Sequence, residues 1–287
     1  MKFLIIGHYS YDVLHEQDGR EHLQAGGLHQ AIALLSSLCS RQDRILPVFG
    51  VHSTEYQQVV ETLRQCSNVE TAGIYAIDSP THRVHYYPGA DGTRVACVKE
   101  IAPPIPYDRI KKFLDVDGIL VNMVSGSDLA LDALDEIRMA VRGTTTKLHF
   151  DFHNLTLGIG KDHERVRRPV VEWRRWAFMI DTVQLNEEEI AGLAVDSLSE
   201  QETAGHLLTL SVKGVLVTRG VEGASLYYNE HKKILRKDFP APATDAGPRV
   251  GGGDLFGVAF LWHYCRTGDL FAAAEGAVLT ATEEMTR

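Results

Sequence analysis

Cysteine is scarce in this chain. Cys39, Cys66, Cys97 and Cys265 stand far apart, and no C-x-x-C pair occurs. A disulfide framework or a zinc knuckle needs paired thiols, so the pattern argues against both and fits reduced thiols in a cytoplasmic protein. Long apolar runs are missing too. No stretch approaches the roughly 18 uncharged apolar residues that a membrane span requires. The opening MKFLIIGH carries one lysine and a run too short for a secretory leader, so it reads as a first strand. Positive charge is in deficit: 29 Lys and Arg face 38 Asp and Glu, a formal net charge of −9. Phosphate backbones and anionic lipid surfaces demand basic patches, so neither nucleic acid nor membrane is an expected partner. A small phosphorylated ligand held by local dipoles is not excluded. Nothing matches G-x-x-x-x-G-K-[ST], which disfavours P-loop chemistry.

The remaining composition is ordinary for a globular chain. Hydrophobic residues make up 44% of 287 positions, enough for a sizeable single core. Six short apolar runs read as buried strands: 2–7, 44–50, 118–124, 147–152, 181–186 and 214–220. Segments with apolar residues three and four apart lie between them, at 28–38, 128–141 and 187–194. Alternation of this kind predicts an α/β fold with a parallel sheet covered on both faces. Two regions break the rhythm. Residues 9–25 are polar and aromatic, and residues 74–99 alternate around GADG, as a one-faced hairpin does. No internal repeat or low-complexity segment is present.

Several motifs have the residue types that chemistry needs. In RVGGGDLFGVAF (249–260), Phe256, Ala259, Phe260 and the later Tyr264 fall at helical spacing, which predicts a helix starting near Gly253 or Asp254. A helix N-terminus offers unpaired N–H groups, and glycines before it allow an anion to approach closely. The plainer reading is a glycine turn with an Asp cap. Asn186 and Glu189, three apart after a strand, form either a capping box or a carboxyl-edge pair able to hold Mg²⁺ through water. The stretch 217–228 reads as strand, glycine turn, strand. Gly26 and Gly27 precede a helix, and Asp12 comes from the first flap strand. His149, Asp151 and His153 recur at spacing two along a strand. They suit a strand-end carboxylate near an active edge better than a dedicated transition-metal site.

Four features occur in order: Asp12; Gly26-Gly27 with a helix; N-E-E-E at 186–189; and GGGD at 251–254 after VTRGVEG. Together they resemble the ribokinase-like, or phosphofructokinase-B, family of carbohydrate and nucleoside kinases, whose motifs G-A-G-D and N-x-x-E they approximate along nearly the whole chain. The resemblance implies a doubly wound, mostly parallel sheet with helices on both faces and a small β-sheet lid. It implies one domain over 1–287, with lid segments at about 9–25 and 74–99. It also implies ATP-dependent phosphorylation of a hydroxyl of a sugar or polyol. By position, Asp254 is then the base, and the N–H groups of Gly251, Gly252 and Gly253 form the anion hole. Asn186 and Glu189 organise Mg²⁺ through water. Thr218, Gly220 and Gly223 lie beside the nucleotide, and Asp12, Gly26, Gly27 and His29 face the acceptor.

A nucleoside kinase of the same fold is the first alternative, with Tyr9, Tyr11, Tyr86 and Tyr87 available to stack on a base. A catalytically silent relative that binds nucleotide or sugar is the second. A homodimer paired through the lid is compatible with an exposed hairpin. The chain departs from the family pattern at Pro248-Arg249-Val250, where many members bind a monovalent cation, so a potassium site is doubtful. Arg249 instead offers a fixed positive charge near the phosphates. His29 or Gln30 replaces the usual Asn after the glycine pair, and the adenine pocket is expected to be abbreviated at the C-terminus.

Overall fold

The computed structural model describes residues 1–89, 94–193, 198–243 and 251–286. In chain order the first half runs β1 (Lys2–Ile6), β2 (Tyr9–His15), β3 (Glu21–Gly27), α1 (Leu28–Leu38), β4 (Arg44–His52), α2 (Tyr56–Arg64), β5 (Ile74–Ile77), β6 (His82–Pro88), β7 (Arg94–Glu100), α3 (Tyr107–Ile110), β8 (Gly118–Asn122) and α4 (Leu131–Val141). The second half runs β9 (Lys147–Asp151), β10 (Leu157–Ile159), β11 (Arg165–Arg167), α5 (Trp173–Phe178), β12 (Thr182–Asn186), α6 (Glu187–Gly192), α7 (Glu200–Thr209), β13 (Gly214–Thr218), β14 (Gly223–Glu230), β15 (Lys233–Pro240), α8 (Gly252–Thr267) and α9 (Leu270–Thr286).

Nine strands form the central sheet in the order β15-β14-β13-β12-β9-β8-β1-β4-β5. From β13 to β5 every pairing is parallel, and β14 and β15 add an antiparallel edge. All five residues of β8 are buried, and so are Phe3 to Ile6 of β1. A strand buried on both sides loses polar alternation, which is why these segments read as unbroken apolar runs. This is the doubly wound α/β architecture expected from the sequence. The parallel strands all end at one edge. Gly7, Asn122, Asp151, Asn186 and Thr218 stand there, at or just beyond the ends of β1, β8, β9, β12 and β13. The crevice outside such an edge is where open α/β sheets bind ligands.

A separate four-stranded sheet, β3-β2-β6-β7, forms the lid. β2 pairs antiparallel with β3 and parallel with β6, and β6 pairs antiparallel with β7. Ile74–Ile77, grouped with the flap at the sequence level, instead pairs with β4 as the edge of the central sheet. Both locations offer the same half-buried alternation, so local pattern does not separate them. The GADG turn falls mostly on residues 90–93, outside the described residues. The polar hairpin β10-β11 has no counterpart in the sequence reading. It docks on the lid: Val98 N–H donates to the His163 carbonyl at 2.8 Å, and Cys97 bridges to Glu164. Among the described residues no helix is long and apolar enough to cross a membrane.

Candidate active site

The glycine run turns the chain into α8. Gly251 adopts φ 97°, a left-handed conformation that glycine accepts without strain. The helix begins at Gly252, so Asp254 sits within the first turn and is not its cap. The Leu255 N–H reaches back to the Gly251 carbonyl at 3.1 Å. The N–H groups of Gly252, Gly253 and Asp254 thus belong to the set that a helix cannot pair internally, at its positive end. A side chain at position 251 would come within 2.4 Å of Gln30 Oε1, which shows how closely α1 approaches this turn.

The two sides of the turn face different spaces. On one side is a cavity of about 380 Å³, lined by Gly251, Gly252 and Gly253, by Asn186, Glu189 and Asp151, and by Thr218, Gly220 and Gly223. Its far wall is apolar, built from Val221, Phe256, Val278, Ala281 and Met285. Asp254 is not on this cavity. It is buried on the other side, where its Oδ1 accepts a 2.6 Å hydrogen bond from Asn122 Nδ2 at the end of β8. Asp12 of the lid comes close enough to feel it. Burial first, and then the charge of Asp254, raise the Asp12 pKa to about 6, against a smaller opposing effect of Gln24. Gly26 backs this carboxylate: a Cβ there would lie 2.6 Å from Asp12 Oδ1. Gly27 turns at φ 42° as α1 begins, against Val124 and Ser10.

The floor between the strands is acidic and densely bonded. Gln184 Nε2 donates to Asp151 Oδ2 at 3.1 Å and to the Gly253 carbonyl at 2.9 Å, tying β12 to the glycine turn. Asn186 and Glu189 form a full capping box: Glu189 N–H donates to Asn186 Oδ1, and Asn186 N–H to Glu189 Oε2, both at 2.8 Å. Asn186 Nδ2 also donates to Glu189 Oε1 at 2.8 Å, so one pair caps α6 and lines the cavity. Burial holds the Asp151 carboxyl well above the usual carboxylate range; His153 opposes this, while Glu189 and Asp254 add to it. Glu189 is raised mainly by burial as well. For His153, burial works downward, yet the surrounding carboxylates Asp254, Asp151 and Glu189 bring the net shift upward.

Among the described residues no three His, Cys, Asp or Glu side chains converge to ligate a metal directly. Among the described residues these crowded, desolvated carboxylates have His153 near Glu189 at 3.9 Å but no Lys or Arg ion pair, and they suit a hydrated divalent cation, since Mg²⁺ keeps most of its waters.

The sequence-derived residues divide accordingly. Gly251–Gly253, Asn186, Glu189, Thr218, Gly220 and Gly223 share the cavity, while Asp254, Asp12 and Gly26 meet on the opposite side. Gly223 has a further reason to be glycine: at φ 102°, a Cβ would lie 2.1 Å from the Phe239 carbonyl of β15. His29 turns its ring edge-on to Tyr9, and it is Gln30 that reaches the glycine turn. The expected strand triplet does not hold together. β9 ends at Asp151, and His153 starts a tight turn at φ 34°. His149 is fully buried, with Nδ1 bonded to Thr182 Oγ1 at 2.9 Å. Pro248, Arg249 and Val250 lie outside the described residues. Asn122 and Gln184 were not singled out from sequence; the one signal is a polar residue at the end of an apolar run for Asn122 and inside a buried strand for Gln184.

No family model and no curated protein matches this chain. Solved structures do. A pyrophosphate-dependent kinase in the ribokinase family, complexed with a pyrophosphate analogue and myo-inositol, aligns at TM-score 0.77 with 18% identity, over 100% of this chain and 96% of that one. Ribokinase from Thermotoga maritima aligns at TM-score 0.76 with 16% identity, over 100% and 93%. A Burkholderia thailandensis nucleoside kinase in complex with inosine aligns at TM-score 0.71 with 14% identity, over 100% and 92%. At these identities the likeness is one of fold.

Proposed function

We propose that this chain, which has the ribokinase-like fold, is an ATP-dependent kinase that phosphorylates a hydroxyl of a sugar or polyol. The carrying observation is the two-sided glycine turn. Gly251–Gly253 line a cavity of about 380 Å³ while Asp254, the next residue, is buried on the other side beside Asn122 and Asp12. In this reading the donor phosphates occupy the cavity and the acceptor hydroxyl lies between Asp254 and Asp12. Asp254 takes the hydroxyl proton as the new O–P bond forms and the bond to the leaving nucleoside diphosphate breaks. Asn122 holds the Asp254 carboxylate in place. The N–H groups at the start of α8 meet the charge that develops on the moving phosphoryl group. Asn186 and Glu189 would hold Mg²⁺ through water, and the ion supplies neutralisation of the phosphates. The lid excludes water, the competing acceptor.

The apolar wall of Val221, Phe256, Val278, Ala281 and Met285 supports a donor that carries a base over bare pyrophosphate, which has no apolar part to bury. The myo-inositol and inosine bound by two structural neighbours widen the acceptor classes worth testing to polyols and nucleosides. A homodimer paired through the lid is the assembly that the exposed Leu23 and Val95 support, and the thiol pattern supports a cytoplasmic location. The test is release of nucleoside diphosphate from Mg-ATP, with pyrophosphate as a parallel donor, over pentoses, hexoses, inositols and nucleosides. Asp254→Asn is expected to abolish transfer while leaving folding and nucleotide binding intact. Near-normal turnover in that variant would rule out the assigned base.

A further inference from the structure

Besides Asn122 Oδ1 and His29 Nδ1, the buried polar atoms with no hydrogen-bond partner among the described residues include Nε2 of His82 and Nη2 of Arg165. His82 opens β6 and is paired in register with Ser10, just as Val84 is paired with Asp12. Paired residues of adjacent strands project to one side, and residues two apart share a face. His82 is therefore on the same lid face as Asp12. Arg165 comes from the β10-β11 hairpin that docks on β7. Its Nη1 donates to the Ser125 carbonyl at 3.0 Å. Lid and hairpin thus each bring one unsatisfied atom to the loop that follows β8 and Asn122: Arg165 through Ser125, and His82 within reach of the charges of Asp128 and Arg165.

The two atoms have opposite roles. The Glu100 carbonyl lies 3.0 Å from His82 Nδ1 and can only accept, so the proton is on Nδ1 and Nε2 presents a lone pair. Burial, helped by the charges of His8 and Arg165 and opposed by Asp128, lowers the His82 pKa to about 3, so the ring stays neutral. Arg165 Nη2 is a donor. The neighbouring Asp128 supplies compensating charge but is already committed. Its carboxylate accepts from His8 N–H at 2.6 Å, Ser125 N–H at 2.9 Å, and Ser125 Oγ and Gly126 N–H at 3.0 Å.

Resting on the kinase reading above, we propose that His82 and Arg165 form a subsite for an acceptor hydroxyl other than the one phosphorylated. A hydroxyl donates to His82 Nε2 and accepts from Arg165 Nη2, so it satisfies both atoms at once. A carboxylate or phosphate would set its oxygen lone pairs against the lone pair of His82. Because the two atoms belong to different elements, a hydroxyl bound there also fastens the lid to the hairpin. A polyol that reaches the subsite favours the closed site.

The experiment reads binding without nucleotide, so absent turnover would sink the kinase reading and leave this one standing. Protein with ¹⁵N-labelled histidine is titrated with myo-inositol, D-ribose and inosine, and with D-ribose 5-phosphate as an anionic probe. A neutral probe that binds is expected to move the unprotonated His82 Nε2 resonance. Arg165→Met is expected to weaken that probe roughly tenfold or more. It should leave unchanged the affinity of the one monodeoxy analogue that lacks the contacted hydroxyl. Arg165→Lys, which keeps charge and one donor, is expected to fall between the two and serves if the Met variant does not fold. Equal weakening for every deoxy analogue, an unmoved Nε2 resonance on binding, or a preference for the phosphate lost in Arg165→Met would each overturn the proposal.

Discussion

Gly26→Ala isolates one steric requirement of the acceptor side. The added Cβ would stand 2.6 Å from Asp12 Oδ1, 2.7 Å from Cγ and 2.8 Å from Oδ2, where ordinary contact begins near 3.4 Å. Gly26 does not have the positive φ of Gly27, so the perturbation is one of space and not of backbone conformation. The carboxylate must retreat by roughly 0.6 to 0.8 Å, since it is the flexible partner in the clash. Misplacement of about 1 Å at a reacting site can cost about 10²-fold. A loss of about 10- to 100-fold in kcat/KM for the acceptor is therefore expected. Nucleotide affinity should hold, because neither Gly26 nor Asp12 lines the donor cavity. A second readout is independent of turnover. Movement away from burial and from Asp254 should bring the Asp12 pKa, followed by carboxyl NMR, below about 6 toward its ordinary range. Gly192→Ala is the control: it ends α6, and among the described residues nothing lies within 4 Å of a Cβ there. Unchanged acceptor kinetics together with an unchanged Asp12 titration in Gly26→Ala would refute the reasoning.

Two further predictions concern stability. Asp12 keeps its proton in the folded chain up to a pH of about 6, whereas the unfolded chain releases it near 4, so its contribution falls as pH rises between those values. Asp12→Asn should gain on the parent across that window, by up to about 3 kcal/mol in urea unfolding; a difference that does not vary with pH would contradict this. His149 behaves in the opposite sense. Burial holds its folded pKa down to about 4, so as pH falls from about 6.5 the unfolded chain takes up the proton first and stability drops. His149→Phe should be less acid-sensitive than the parent by about 3 kcal/mol over that range, and parallel stability curves would count against it.

Much of this molecule was legible along the chain because the relevant forces act locally or repeat regularly. Apolar runs at 2–7 and 118–124 announced strands, since a parallel sheet buried on both faces leaves no room for polar alternation. Asn186 and Glu189 announced a helix start, since a capping box needs only a spacing of three. The glycine run at 251–253 announced a turn into a helix because glycine accepts a left-handed conformation, as Gly251 does at φ 97°. Local pattern failed where two environments look alike. Ile74–Ile77 alternates as a lid strand would, yet it edges the main sheet, and the polar stretch of β10-β11 gave no strand signal at all.

What the order of residues determined by itself, then, was the class of the fold, the turn that carries Asp254, and the set of motifs that converge on one edge. Only the tertiary structure decided which side of that turn each group faces. Asn122 reaches Asp254 across 132 residues, Gln184 reaches Gly253 across 69, and Gln30 meets Gly251 from another helix. The lid residue His82 and the hairpin residue Arg165 come from two different sheets. Periodicity reports which face of an element is buried, but it contains no information about which distant element covers that face. The partners of a polar residue at a strand end are therefore chosen by packing alone.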